Sequence, residues 1–217
     1  MKGVPVTRYW CFGILVLTGV ASDLMSKARV FAELGAPERS SDWLWRSNFL
    51  WGRLEFRLTT VFNQGALFGL GQGLSWLFAG LSVVAAGGIV YWLFFRGEAR
   101  SLWLTVTLSL VLAGALGNLF DRLHLHGWTK PDGTPQYGVR DFLDCTIPGI
   151  AFEGALRPRL VRDYHWPVFN LADMYLVTGA IMLTLYSLVT PQRKDVPAAA
   201  APSAAKETTP AAAVPRK

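Results

Sequence analysis

Charge is scarce in this chain: 17% of its 217 residues are Asp, Glu, Lys or Arg, against roughly 25% in an ordinary soluble domain. With 52% hydrophobic residues and nine Trp, that shortage argues against a water-soluble domain. Cysteine is scarcer still. Cys11 and Cys145 are the only two, too few for a disulfide framework or a thiolate metal site, and the bulky "TRYWC" before and at Cys11 is unlike a lipid-attachment signal. There is no phosphate-binding glycine motif and no internal repeat. The net charge of +6 comes from scattered Lys and Arg with no basic stripe, so nucleic acid is not an expected partner. A surface of anionic lipid headgroups accounts for the excess.

What the chain does have is long apolar runs. A helical span needs about 20 mostly apolar residues, and four windows approach or meet this, at 9–26, 73–95, 101–120 and 168–190. The second and third hold no charged residue, the charge-free part of the first stops at Asp23, and the fourth encloses Asp173. The first window is read as an uncleaved anchor, because Asp23 and Lys27 stand where a signal peptide would place small cleavage-site residues. The expected fold is an all-α membrane protein with four transmembrane helices in one domain, residues 1–195. Residues 53–61, "RLEFRLTTV", alternate polar and apolar before a turn at Asn63–Gly65, which predicts a small β-element outside the spans. The stretch 138–145 is read as loop. From Val196 the Ala/Pro-rich sequence has no aromatic residue to bury, and 196–217 is expected to be a disordered tail.

Four spans put both termini on one side and the long connectors, 27–72 and 121–167, on the other. Twelve of the 21 Lys and Arg lie in the long connectors. The positive-inside rule weights short loops and span-flanking positions, however, and there Arg96, Arg100, Arg193 and Lys194 place the termini inside.

Ionisable residues inside spans are costly and mark protein interiors or functional sites. Asp23 and Lys27 are i,i+4 with the acid first, the better order for an ion pair. Asn118, Asp121 and Arg122 share one helix face, and Asn170 and Asp173 repeat the i,i+3 spacing. Asp23 with Lys27, and Asp121 with Arg122, read as helix-end ion pairs, and Asn63 of "NQG" suits a turn. Asp173 has no basic residue at i±3 or i±4, which points to a functional role. Asp141 of "GVRDFLD" is its candidate partner, with Asp144 as a rival. Two carboxylates at one low-dielectric site share a proton, one acting as base on water while the other donates to a carbonyl. A small proton-coupled transporter using the same Asp and Asn residues is the alternative, as is a noncatalytic scaffold.

"SDLMSK" (22–27), "FNQGALFG" (62–69), "GALGNLFDR" (114–122), "GVRDFLD" (138–144) and "FNLADMYLVTG" (169–179) occur in that order. This series resembles the bacterial lipoprotein signal peptidases, or signal peptidase II, over essentially residues 10–190. The resemblance implies an inner-membrane aspartyl endopeptidase that cuts prolipoproteins before a diacylglyceryl-modified cysteine, with termini cytoplasmic and the long connectors outside. It assigns catalysis to Asp141 and Asp173 and substrate binding to Asn63, Asn118, Arg122 and Asn170. Asp23, Lys27 and Asp121 match further motif positions. The implied partners are prolipoproteins and membrane lipids, and no metal or other cofactor is expected. Two departures stand out: "LHLHGWTKPDGTPQY" (123–137) and an extended 145–166 where the family has short links, and "GAL" rather than "GAA" at 65–67. Lacking a third ligand, His124 and His126 are read as solvated loop.

Overall fold

The computed structural model describes residues 3–35, 37–49, 52–65, 71–153 and 157–190. The 196–217 tail, and Ala66 and Leu67 of the "GAL" motif, lie outside them. The described helices are α1 (Val6–Leu34), α2 (Ser75–Val90, continued by a π-helical turn Tyr91–Phe95), α3 (Leu102–Arg122) and α4 (Leu171–Val189). All four, counting the π-helical turn with α2, are long and apolar enough to cross a membrane.

α1 is much longer than the 9–26 window. Its polar residues do not end it, because Asp23 and Lys27 are buried against α3 and α4 and never meet lipid. The last turns then bury Val30 and Phe31 under the sheet, where the Phe31 ring meets Phe62 at 5.2 Å and Trp128 at 6.1 Å. α3 is the hub of the bundle: 61% of its apolar window is buried, against no more than 22% in any other span. Gly114 and Gly117 make this possible, since a Cβ at Gly114 would collide with α4 at Ala172 O and one at Gly117 with the Asp23 carboxylate of α1. In lipid, helices associate through such close backbone approach rather than through the hydrophobic effect.

Strands β1 (Trp45–Phe49), β2 (Gly52–Asn63), β3 (Val139–Glu153) and β4 (Arg157–His165) form one antiparallel sheet in the order β1-β2-β3-β4. The expected β-element at 53–61 is β2. The loop expected at 138–145 is instead the start of β3, and the extended 145–166 segment largely continues β3 and forms β4. Isolated from its partners this stretch shows little alternation; it becomes strand because β2 and Phe169 saturate its backbone groups from both sides. The Phe169 pairing has a positional consequence. Phe142 N and Leu143 N both donate to Phe169 O, at 3.0 and 2.7 Å, and Phe169 N donates to Leu143 O at 3.1 Å. Main-chain bonds thus fasten the entry to α4 onto β3, tying position 173 to position 141.

Candidate active site

Successive strand residues point to opposite faces, so β3 sorts its acids. Asp141 and Val139 share the face of their cross-strand partners Val61 and Asn63, and all four line a cavity of about 750 Å³ between the sheet, α2, α3 and α4. Asp144, three residues on, faces away. Its carboxylate accepts from Arg57 Nε at 2.7 Å and Thr59 Oγ1 at 2.8 Å, with His165 Nε2 2.7 Å away. The rival carboxylate therefore lies outside the cavity.

Asp173 enters the cavity from the first turn of α4. Asn170 caps this helix: its Oδ1 accepts from Asp173 N at 3.0 Å, and Asp173 Oδ2 accepts from Asn170 N at 3.3 Å. Such a reciprocal cap satisfies two orphan donors and fixes the Asp173 rotamer. Two amides join the carboxylates. Asn118 Nδ2 donates to Asp173 Oδ1 at 2.9 Å, while Asn170 Nδ2 donates to Asn118 Oδ1 at 3.2 Å and to Asp141 Oδ1 at 2.6 Å. Burial, reinforced by the Asp173 charge, pushes the Asp141 carboxyl up to about 8, with hydrogen bonds from Asn170 and Asn63 pulling the other way. Asn63 serves as both turn and wall: it ends β2, and its Oδ1 accepts from Gly65 N at 3.0 Å.

Beneath the amides lies a buried ionic core. Lys27 Nζ donates to Asp23 Oδ2 at 2.7 Å and Asn118 Oδ1 at 3.1 Å, and pairs with the Asp121 carboxylate, whose Oδ2 lies 3.0 Å away. Asp23 Oδ1 also accepts from Ala172 N in α4 at 2.9 Å. Asp121 receives Arg140 through Nε at 2.9 Å, Nη2 at 2.8 Å and its backbone N at 3.0 Å. Two cations thus balance two carboxylates. The expected Asp121–Arg122 pair does not form, since adjacent helical residues diverge by about 100°. Asp121 faces α1 and β3, while Arg122 reaches the cavity with its guanidinium 5.4 Å from the Phe78 ring of α2. Arg140 and Phe78 were not singled out in the sequence; a basic residue beside a motif acid was the one available signal for Arg140.

His124 and His126 are half-buried rather than solvated. Their rings pack together at 5.0 Å, with Tyr137 5.4 Å from His124 and Phe62 5.7 Å from His126. His126 Nδ1 accepts from Trp128 N at 3.0 Å, and burial lowers the His126 imidazole to about 4. Among the described residues no three side chains are grouped to hold a metal.

The family model for signal peptidase (SPase) II matches residues 15–189. The chain belongs to the signal peptidase II family. The lipoprotein signal peptidase of Rhodopirellula baltica is 41% identical over 186 residues, 84% of this chain and 74% of that protein. Its counterpart in Cupriavidus necator is 35% identical over 138 residues, 61% of this chain and 63% of that protein. A solved bacterial membrane enzyme superposes with a TM-score of 0.55 at 25% identity, covering 83% of this chain and 94% of that one. As a signal peptidase II the chain is a multi-pass membrane peptidase, and the transporter alternative finds no support.

Proposed function

We propose that this chain is an aspartic-type endopeptidase that hydrolyses the peptide bond before the diacylglyceryl-modified cysteine of prolipoproteins, with Asp141 and Asp173 as its catalytic pair. The observation that carries the reading is the Asn118–Asn170 amide bridge, which links two carboxylates from different elements at the wall of one cavity. The positive end of the α4 dipole and two N–H donors, from Asn118 Nδ2 and Asn170 N, face the Asp173 carboxyl group, while Asp141 keeps its proton at neutral pH. Asp173 takes a proton from water as the water oxygen bonds to the scissile carbonyl carbon, and Asp141 gives its proton to the carbonyl oxygen. In the second half the C–N bond breaks. The leaving nitrogen takes the proton from Asp173, and a hydroxyl of the gem-diol returns one to Asp141, so the pair ends as it began.

Phe78, Leu81, Val111 and Leu176 give the cavity an apolar wall suited to signal-peptide side chains. Asn63 and Asn118 supply amides to its lining and Arg122 a cation, while Asn170, fully buried, acts on the site through Asn118 and Asp141. Asp23, Lys27, Asp121 and Arg140 support these groups from behind.

Arg122 positions substrate but moves no proton. Arg122→Ala is expected to lower kcat/KM by about tenfold or more, the cost of a hydrogen bond from a charged donor, chiefly through KM. Arg122→Lys keeps the charge without the planar fork and is expected to fall between alanine and wild type. Wild-type kinetics for Arg122→Ala would remove it from the substrate site.

The protonated role of Asp141 sets a pH limit. Because its proton is retained at neutrality and lost as the pH rises through about 8, kcat/KM is expected to decline on the alkaline side of that value. A profile flat to pH 10 in a reconstituted cleavage assay would place the acid elsewhere.

We further infer that residues 1–195 form one membrane domain in the bacterial inner membrane, that the termini and the Arg96–Arg100 connector are cytoplasmic, and that the sheet and catalytic pair are extracytoplasmic. The arginines of that short connector support this orientation. Protease outside intact spheroplasts is expected to cut within 129–136 and to spare a C-terminal epitope. Loss of the epitope would invert the topology.

A further inference from the structure

Arg122 borders a second space. On the far side of its side chain from the catalytic pair, a groove of about 720 Å³ runs between the start of α2 and the end of α3, a size typical of small-ligand sites. Its walls are apolar, formed by Trp76, Ala79 and Val83 of α2 and Leu119 of α3. Trp76 and Val83 are 72% and 57% exposed on a membrane-spanning helix, so the groove opens toward lipid. From Ser75 to Val83 it extends about 12 Å at 1.5 Å per residue.

The polar end is built by the 123–137 insertion. Its segment 128–136 is a small hairpin: Thr129 and Pro135 form a bridge, Lys130 N donates to Thr134 O at 2.8 Å, and Gln136 N donates to Trp128 O at 3.0 Å. This hairpin sets Lys130 at the mouth of the groove beside Arg122. The nearby acid, Asp132, turns its Oδ1 into the hairpin turn, accepting from Thr134 N at 2.9 Å and Thr134 Oγ1 at 2.6 Å, and acts on Lys130 only at a distance. Neither Arg122 nor Lys130 has an ion pair with a described residue within 4 Å, and no described residue lining the groove is acidic.

We propose that this groove binds one anionic phospholipid of the bilayer, its phosphodiester between Arg122 and Lys130 and one acyl chain along Trp76, Ala79 and Val83. Charge complementarity selects this occupant. Two cations with no ion pair to a described residue within 4 Å favour a phosphate, the guanidinium fork matches its oxygens, and the apolar floor below them suits an acyl chain. The lipid would fix the Arg122 side chain from the side opposite the substrate, and the insertion would supply the second cation.

The test uses the full chain in zwitterionic detergent micelles, titrated with phosphatidylglycerol or phosphatidylcholine carrying brominated acyl chains. The readout is quenching of Trp76, taken as the difference between the protein and Trp76→Phe. Quenching by the anionic lipid is expected at a mole fraction at least about fivefold lower, from the usual contribution of one Lys or Arg to anionic-lipid binding. Lys130→Glu, on an exposed hairpin, is expected to abolish that preference with unchanged thermal unfolding, and Val83→Phe to weaken both lipids by narrowing the groove. Equal quenching by the two lipids, or a preference that survives Lys130→Glu, would overturn the proposal. So would displacement by millimolar inorganic phosphate, which would make the ligand a free anion, or by a diacylglyceryl-modified peptide, which would give the groove to the substrate's own chains. None of these readouts depends on peptide cleavage.

Discussion

Asp173→Asn is expected to bring cleavage of a lipid-modified prolipoprotein to background, and Asp141→Asn to do the same, each while the protein still inserts and unfolds normally. General acid–base catalysis contributes about 10²–10⁴-fold, and each variant removes one of its two participants. The fold should tolerate both. An amide at 173 keeps an oxygen for the Asn170 backbone N–H, so the α4 cap persists, although its NH₂ now confronts Asn118 Nδ2. An amide at 141 matches the charge of the protonated acid and still accepts from Asn170 Nδ2, but it has no acidic proton to give. Asp144→Asn is the control: on the opposite face of β3, it is expected to retain turnover while loosening the contacts to Arg57 and His165. Near-normal turnover by either catalytic-pair variant, measured on purified protein, would dismantle the proton-sharing mechanism. An inactive Asp144→Asn would put the reacting carboxylate in the wrong register of β3.

The helical part of this site was legible because helices carry their periodicity in the sequence. Asp23 with Lys27, Asn118 with Asp121 and Arg122, and Asn170 with Asp173 each fall within one turn of an otherwise apolar run, and polar groups there must face protein. The partners were harder. Lys27 meets Asp121, 94 positions away, and Asp121 meets Arg140 across a helix–strand junction; no spacing rule reaches across elements. Sequence adjacency even misled, since Asp121 and Arg122 are neighbours in the chain and diverge on the helix. The sheet was half legible for a similar reason. β2 has one apolar face and alternates, whereas β3 is buried on both faces around Phe142 and Asp141 and reads as irregular. Its strand state comes from β2 and Phe169, distant segments that propensity does not see.

Lys27→Met is expected to destabilise the protein by about 3–5 kcal/mol, the range for removing one partner of a buried ion pair. Methionine preserves the length and apolar stem, so the loss is electrostatic. Fully buried Asp23 and Asp121 would face each other without the ammonium between them, and Asn118 Oδ1 would lose a donor. The effect should reach the chemistry, because Asn118 holds Asp173 through the other end of the same amide. Charge balance supplies the decisive comparison. In Asp23→Asn/Lys27→Met, one cation and one anion leave together and Arg140 still neutralises Asp121, so the double variant is expected to recover much of the stability that Lys27→Met loses. Thermal or denaturant unfolding of the four proteins in one detergent completes the cycle. Additive losses would mean that Asp23 and Lys27 act independently. A cost below about 1 kcal/mol for Lys27→Met, the scale of an exposed ion pair, would mean that water reaches the core and that the amides are held by something other than this lysine.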